Sequence, residues 1–89
     1  MPRVAFTANL QRHLACPPVD VPGATVREAL EAVFAKNPRL RGYVLDEHGA
    51  LRFHVAIFLD GTPIRDRMAQ GDAAGEQSQI YVMQALSGG

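Results

Sequence analysis

The sequence predicts an α+β fold in which one main helix covers one face of a mixed sheet of four to five strands. The first observation is Thr25-Val26-Arg27-Glu28, which has the form of a capping box and precedes apolar residues at helical spacing. The second is Asp60-Gly61, a strong hairpin pattern that follows a run of alternating residues. The third is the alternating segment from Gln79 onward, whose β-branched and aromatic residues are typical of a strand.

The first half of the chain is predicted to hold two strands and then the helix. Alternation of apolar residues predicts strands at Val4–Phe6 and Val19–Val21. A short element over Leu10–Leu14 is expected between them, so the first hairpin is long and irregular. The helix is predicted from about Thr25 to Asn37, where the following proline stops it.

The second half is predicted to hold the remaining strands. The segment Arg39–Arg52, which lies between the helix and the hairpin and is called the insertion below, is less regular. A strong strand is predicted over His54–Leu59, and a short return strand over Thr62–Arg65, whose proline confines it to a sheet edge. The polar segment Asp66–Gln77 is a loop with a single helical turn, and Gln79–Leu86 is the last strand.

This order of elements is that of the β-grasp, or ubiquitin-like, fold. The first and last strands are expected to be parallel neighbours in the middle of the sheet, and the helix packs on one face. The residues predicted to face the core are Val4, Phe6, Val55, Ile57, Leu59, Ile80 and Val82 on the sheet, and Leu30, Val33 and Phe34 on the helix. Residues 1–86 are predicted to form the domain, followed by a flexible arm at 87–89.

Composition excludes several classes of function. A chain of 89 residues makes one small domain with little room for an enclosed active site. Nine basic residues balance nine acidic ones without a basic stripe, which argues against nucleic-acid binding. We expect neither a membrane span nor a signal peptide, because the apolar runs are short and the N-terminus enters a strand pattern directly. With a single cysteine, these features predict a cytoplasmic protein.

The terminal segment Ser87-Gly88-Gly89 directly follows the last predicted strand. Three extended residues reach roughly 10 Å, and glycines without Cβ atoms can enter a slot too narrow for side chains. The group that such an arm presents is the α-carboxylate of Gly89. A frayed end or a cloning remnant is the alternative interpretation.

A partner-binding surface is predicted on the face of the sheet that the helix leaves open. Alternation places Ala56 and Phe58 on this face of one strand, and Tyr81 and Met83 on this face of the last strand, with Leu86 beside the arm. Several apolar side chains in one patch indicate an interface. The alternatives are that the Arg39–Arg52 insertion folds over the patch or that it forms a homodimer contact. His54 shares the face by parity, and the simplest interpretation is a surface histidine with no special role.

The chain resembles the MoaD/ThiS family of sulfur-carrier proteins, and its insertion makes it look more like MoaD-like and CysO-like members. The similar features are the N-terminal hairpin, the capped helix from Thr25, the strand and turn Val55–Gly61, and the final strand ending in Gly88-Gly89. They cover essentially the whole chain, and the terminal Gly-Gly is the only tightly specific motif among them.

The resemblance implies a carrier rather than an enzyme. An adenylyltransferase of the ubiquitin-activating type, like MoeB or ThiF, would activate the Gly89 carboxylate with ATP, and a sulfur donor would convert it to a thiocarboxylate. A second, sulfur-accepting biosynthetic enzyme would use that sulfur. The carrier itself binds no cofactor, since Gly71–Gly75 lacks the Lys-Ser/Thr of a phosphate-binding loop. The receiving pathway, for cysteine, thiamine, molybdopterin or another sulfur compound, is not specified by the residues.

Three alternatives remain beside this hypothesis. The chain could be the small subunit of molybdopterin synthase, whose arm enters a large catalytic subunit. It could be a ubiquitin-like protein modifier, with Gly89 joined to a lysine of a target. It could also be a plain β-grasp interaction domain in which the Gly-Gly is incidental.

The other residues that could take part in catalysis or metal binding do not form a recognisable site. Cys16 could carry a persulfide, although a lone loop cysteine is more often inert. A zinc set of His13, Cys16 and His48 or His54 matches no common ligand spacing, so no metal is expected. The carboxylates of Asp46, Glu47 and Asp66 are interpreted as solvated turn residues rather than general bases. Arg65 and Arg67 are either solvated charges or contacts to an acidic partner rim.

Overall fold

The computed structural model describes residues 1–7 and 17–84. These residues form five strands and two helices, in the order β1 (Arg3–Phe6), β2 (Val19–Asp20), α1 (Val26–Lys36), α2 (Pro38–Val44), β3 (Val55–Leu59), β4 (Thr62–Pro63) and β5 (Gln79–Gln84). The predicted α+β class is confirmed. The element predicted over Leu10–Leu14 and the last two residues of the predicted final strand lie outside the described residues.

The five described strands form one mixed sheet in the order β2-β1-β5-β3-β4. The central strand β5 is parallel to β1, with Val4 opposite Ile80, and antiparallel to β3, with Ile57 opposite Val82. The β2 and β4 strands each have two residues and lie at the two edges. The parallel pairing of first and last strands, predicted from the order of elements, is therefore confirmed.

The core lies between the sheet and the two helices. The predicted inward residues of β1, β3 and β5 are buried there with Leu30, Val33 and Phe34 of α1, except that Leu59 is only partly buried. Strand alternation decides this arrangement, because side chains two residues apart lie on the same face of a strand.

The first helix is capped much as the sequence predicts. Thr25 Oγ1 accepts a hydrogen bond from the backbone N–H of Glu28 at 3.1 Å, which satisfies one free donor of the first turn. The Glu28 carboxylate was expected to accept from the N–H of Thr25, but it accepts from Ala24 instead, at 2.8 Å. The helix ends at Lys36, and the Asn37 N–H donates to the carbonyl of Val33.

The insertion is more ordered than predicted. It begins with α2, whose first residue, Pro38, suits the first turn of a helix because no donor is lost there. After α2, Leu45 and Leu51 form an isolated antiparallel bridge. Leu40, Leu45 and Leu51 are buried in the core with the residues of α1. The described part of the insertion therefore packs on the helix side of the sheet, and the alternative that it covers the open face is wrong.

A buried glutamine joins this insertion to the loop before β5. Gln70 is fully buried, and its amide nitrogen donates to the carbonyls of Arg67 at 2.8 Å and Gly49 at 3.3 Å. Its amide oxygen accepts from Arg27 of α1 at 2.9 Å, and Arg27 also donates to Gly49. The backbone φ of Gln70 is +54°, in the left-handed region. This network holds the two loops against the helix.

Candidate functional site

The open face of the sheet carries the predicted apolar patch, which we call the β3–β5 patch and define as Ala56, Phe58, Tyr81 and Met83. Ala56 lies opposite Met83 and Phe58 opposite Tyr81 in the antiparallel pairing of β3 with β5. Tyr81 and Met83 are exposed, while Ala56 and Phe58 are half-buried. Such facing pairs pack against each other across the strands, so the four side chains form one continuous surface.

Alternation along two central strands creates this surface. Ile57 is buried between Ala56 and Phe58, and Val82 is buried between Tyr81 and Met83. The alternate residues of both strands are fixed in the core, so the backbone beneath the patch is held in place. A one-residue shift of register would bury the patch. The placement of the four residues agrees with the prediction, while their role in binding a partner stays a prediction.

The end of β5 is held in place by its neighbours. The N–H of Thr7 donates to the carbonyl of Val82 at 3.1 Å, and Thr7 Oγ1 accepts from the N–H of Gln84 at 3.5 Å. On the other side, the Gln84 amide nitrogen lies 3.3 Å from Nε2 of His54 and donates to it in the histidine tautomer that carries the ring proton on Nδ1. Gln84, the residue from which the chain continues towards Gly89, is therefore held by contacts on both sides.

Three of the predicted site residues, Leu86, Gly88 and Gly89, lie outside the described residues, as do His13 and Cys16. Among residues 1–7 and 17–84, His, Cys, Asp and Glu side chains form no group able to hold a metal ion.

The carboxylates of the loops have structural partners. Asp46 accepts hydrogen bonds from the backbone amides of His48 and Ala50, and these bonds hold its pKa below the ordinary value. Asp66 accepts from the amides of Ala69 and Gly71, with the same effect on its pKa. Both side chains stabilise turns, which supports the interpretation of these carboxylates as turn residues.

Phe53 is a surface residue that the sequence did not indicate. It is two residues before the buried Val55, so strand alternation alone would place it in the core. The N–H of Val55 instead donates to the carbonyl of Arg52 at 2.9 Å, which makes a turn of residues 52–55. The turn breaks the alternation, and Phe53 is 95 % exposed. A turn formed by such contacts has no clear sequence pattern here.

Within the described ranges, neither helix has the length and hydrophobicity needed to cross a membrane.

Comparison with known proteins relates the chain to a group of solved structures. No family model and no curated protein matches the sequence. The crystal structure of SAMP1 from Haloferax volcanii matches with a TM-score of 0.80 and 26 % identity, over 99 % of this chain and 98 % of that one.

Two further crystal structures contain a protein named CysO. A chain of the BexX/CysO complex of Amycolatopsis orientalis matches with a TM-score of 0.84 and 18 % identity, over 100 % of this chain and 100 % of that one. CysO of Mycobacterium tuberculosis matches with a TM-score of 0.81 and 17 % identity, over 97 % of this chain and 100 % of that one. The resemblance to the MoaD/ThiS family is therefore confirmed, and the shared fold is the β-grasp.

Proposed function

We propose that this chain is a sulfur carrier of the ubiquitin-like type that acts in the cytoplasm. The observation that carries the proposal is a central strand, anchored at its end by Thr7 and His54, that leads within five residues to Gly88-Gly89. The whole-length similarity to CysO and SAMP1 supports the same class of function. The chain is then a co-substrate on which other proteins act, rather than an enzyme.

The proposed chemistry has two steps at the Gly89 carboxyl group. A carboxylate is ionised at neutral pH and is a poor acyl donor, so it first needs activation. Its oxygen attacks the α-phosphorus of ATP in the active site of a MoeB- or ThiF-like adenylyltransferase, and pyrophosphate leaves. A sulfide sulfur then attacks the acyl carbon, AMP leaves, and the product is a thiocarboxylate. A sulfur-accepting biosynthetic enzyme takes that sulfur in turn.

The β3–β5 patch is proposed as the surface on which these enzymes dock. It is apolar, it lies on an ordered backbone, and two of its residues, Tyr81 and Met83, belong to the strand that leads to Gly89. An enzyme that binds the patch is therefore placed to receive the arm. The matching structure of a BexX/CysO complex shows that a fold of this shape has been captured with a partner protein.

A protein-modifier function is the second candidate. It is favoured by the similarity to SAMP1, which is named small archaeal modifier protein 1 in a matching structure from Methanosarcina acetivorans. Both functions require the same activated Gly89. They differ in the atom that attacks the acyl carbon, which is sulfur in a carrier and a lysine nitrogen in a modifier.

The arm is tested by changes at its last two residues. Deletion of Gly89, addition of one alanine after it, or Gly88→Val should abolish thiocarboxylate formation, because the reacting carboxylate must lie within about 3–3.5 Å of the phosphorus that it attacks. The measurement is intact mass after incubation with the cognate adenylyltransferase, ATP and sulfide, where one oxygen is replaced by one sulfur. The mass of the natural protein first checks that Gly89 is its last residue.

Ser87→Ala is the matched control, since it changes the same segment without altering length or the glycines. It should react like the wild type, and thermal unfolding of all variants should match the wild type. A protein that lacks Gly89 and still gains sulfur at its C-terminus would contradict the proposal.

A further inference from the structure

Phe53 is the most exposed of the large apolar side chains in the described part of the chain. Its exposed fraction is 95 %, compared with 39 % for Tyr81 and 38 % for Met83 of the β3–β5 patch. Aromatic side chains that protrude in this way are characteristic anchors of protein interfaces, because they offer a large apolar area at a small cost in conformational entropy.

The backbone on which Phe53 stands is firmly held. Arg52 Nε donates to the carbonyl of Gly42 at 2.7 Å. The carbonyl of Arg52 accepts from Arg67 Nη2 and from the N–H of Val55, each at 2.9 Å. A side chain displayed on a pre-ordered turn loses little freedom on binding, which raises the affinity available from its contacts.

This turn lies beside the end of β5. The ring of Phe53 contacts the imidazole of His54 edge-to-face, with 5.4 Å between centroids. His54 in turn contacts Gln84, and Val55 lies opposite Gln84 in the sheet. Five residues then lead from this point to the carboxylate of Gly89, a span of at most roughly 18 Å. An enzyme that holds that carboxylate in its active site, as the proposed function requires, can therefore also reach the surface around Phe53.

The surroundings of Phe53 indicate the chemistry of the partner. A shallow depression of about 330 Å³ lies next to the ring and is lined by Asp46, Leu51, Arg52, Phe53 and His54. Asp46 lies near Arg52 and offsets its charge. Arg67, however, donates only to a carbonyl, and within the described ranges it has no carboxylate at ion-pair distance. The surface thus presents the exposed ring of Phe53 beside the positive charge of Arg67.

We propose that Phe53 and Arg67 form a second docking point, apart from the β3–β5 patch, for the enzyme that activates the C-terminal carboxylate. The partner surface that fits it is an apolar pocket with a carboxylate at its rim. The pocket takes the phenyl ring, and the carboxylate pairs with the guanidinium of Arg67. This inference rests on the proposed function, since it assigns a recognition element to the same activating enzyme.

The test compares three variants in binding to the purified ATP-dependent adenylyltransferase of the same organism. Phe53→Ser should weaken binding by about tenfold or more, as expected for an anchor residue. Arg67→Gln should weaken binding several-fold and reduce its dependence on salt, because a charge pair is removed. Met68→Ser is the control, since Met68 is also largely exposed, and its affinity should stay within about twofold of the wild type. Isothermal titration calorimetry gives the affinities, and thermal unfolding shows that each variant is folded.

The outcomes separate this inference from the proposed function. If Phe53→Ser binds and is adenylated like the wild type, the second docking point is wrong and the sulfur-carrier proposal stands. If the wild type itself is neither bound nor adenylated, the proposed function fails, and the inference fails with it. If Phe53→Ser abolishes self-association in sedimentation without changing enzyme affinity, the residue serves a homodimer contact and the inference is overturned.

Discussion

Aspartate side chains fix the loops of this small domain by accepting hydrogen bonds from backbone amides. Asp72 is the clearest case, because its two oxygens accept from the N–H groups of Arg65 and Asp66 at 2.9 and 3.0 Å. Both bonds lower the pKa of Asp72 below its ordinary value of 3.8, and the bond from Arg65 has the larger effect. The two bonds thereby tie residues 65 and 66 to residue 72 within the loop between β4 and β5.

The lowered pKa of Asp72 predicts a loss of stability in acid. Since the carboxyl group has a lower pKa in the folded state than in the unfolded state, its contribution is complete above pH 3.8. It declines as the pH falls below 3.8 towards the folded-state pKa. In Asp72→Asn the free energy of unfolding should therefore be lower than wild type at neutral pH and should fall less steeply in acid. Urea unfolding across this pH range measures both slopes.

Gln77→Asn is a suitable control for this comparison, because it changes an exposed residue of the same loop that does not titrate. Its unfolding free energy should follow the wild type at every pH. Identical acid slopes for wild type and Asp72→Asn would show that Asp72 does not link folding to protonation.

The strand β3 shows at the scale of an element how one alternating segment serves two purposes. Ile57 is 1 % exposed and packs in the core, while its neighbour Phe58 is half-buried on the open face against Tyr81. The two residues are adjacent in sequence but face opposite sides of the sheet. Their substitutions should therefore have opposite effects on stability and on binding.

We expect Ile57→Ala to cost roughly 2–5 kcal/mol of unfolding free energy, because it leaves a cavity in the core. Phe58→Glu should cost about 1 kcal/mol or less, as is common for residues near the surface, while weakening the binding of the adenylyltransferase. Chemical denaturation and binding titration measure the two effects. If both variants unfold equally, or if Phe58→Glu binds normally, the role given to the β3–β5 patch is wrong.

The two helices differ in how far the sequence predicts them. Two patterns predict the same helix in α1. One is the capping pair of Thr25 and Glu28, and the other is an apolar stripe of three to four residues per two turns. In α2, the seven residues include Gly42 and begin at a proline, and Asn37 supplies no side-chain cap. So short a helix is stable only because Leu40 and Val44 are buried, a contribution that no local pattern contains.

The composition of the whole chain limits the conjugation of one copy of the chain to another. Of its nine basic residues eight are arginines and one is lysine, Lys36, which lies at the exposed end of α1. A guanidinium stays protonated in proteins and does not attack an acyl group, whereas a lysine amine does when deprotonated. An activated Gly89 therefore meets few nucleophilic nitrogens on another copy of the chain.

Self-conjugates formed with the adenylyltransferase and ATP are accordingly predicted to be scarce and to join Gly89 only to Lys36 or to the N-terminal α-amine. In Lys36→Arg, the product linked through a side chain should disappear, while thiocarboxylate formation stays at the wild-type level. Peptide mapping by mass spectrometry locates the link. Abundant conjugates through any other residue of the chain would contradict this prediction.

The sequence by itself determined the features that depend on local periodicity and on single residues. These are the alternation that divides β3 and β5 into two faces, the cap of α1, the Asp60-Gly61 turn and the resemblance that makes Gly89 the candidate reactive end. Each follows from neighbours a few residues apart, so the pattern is complete within one segment.

Only the tertiary structure decided the features that depend on contacts between distant segments. The hydrogen bonds of Gln70 join it to Arg27 and Gly49, and those of Arg52 join it to Gly42 and Arg67. The first set buries a glutamine in a left-handed conformation, and the second turns Phe53 out to solvent against the strand alternation. The free energy of such contacts exceeds local preferences, because an unsatisfied buried polar group costs about 1–3 kcal/mol, more than most local propensities contribute.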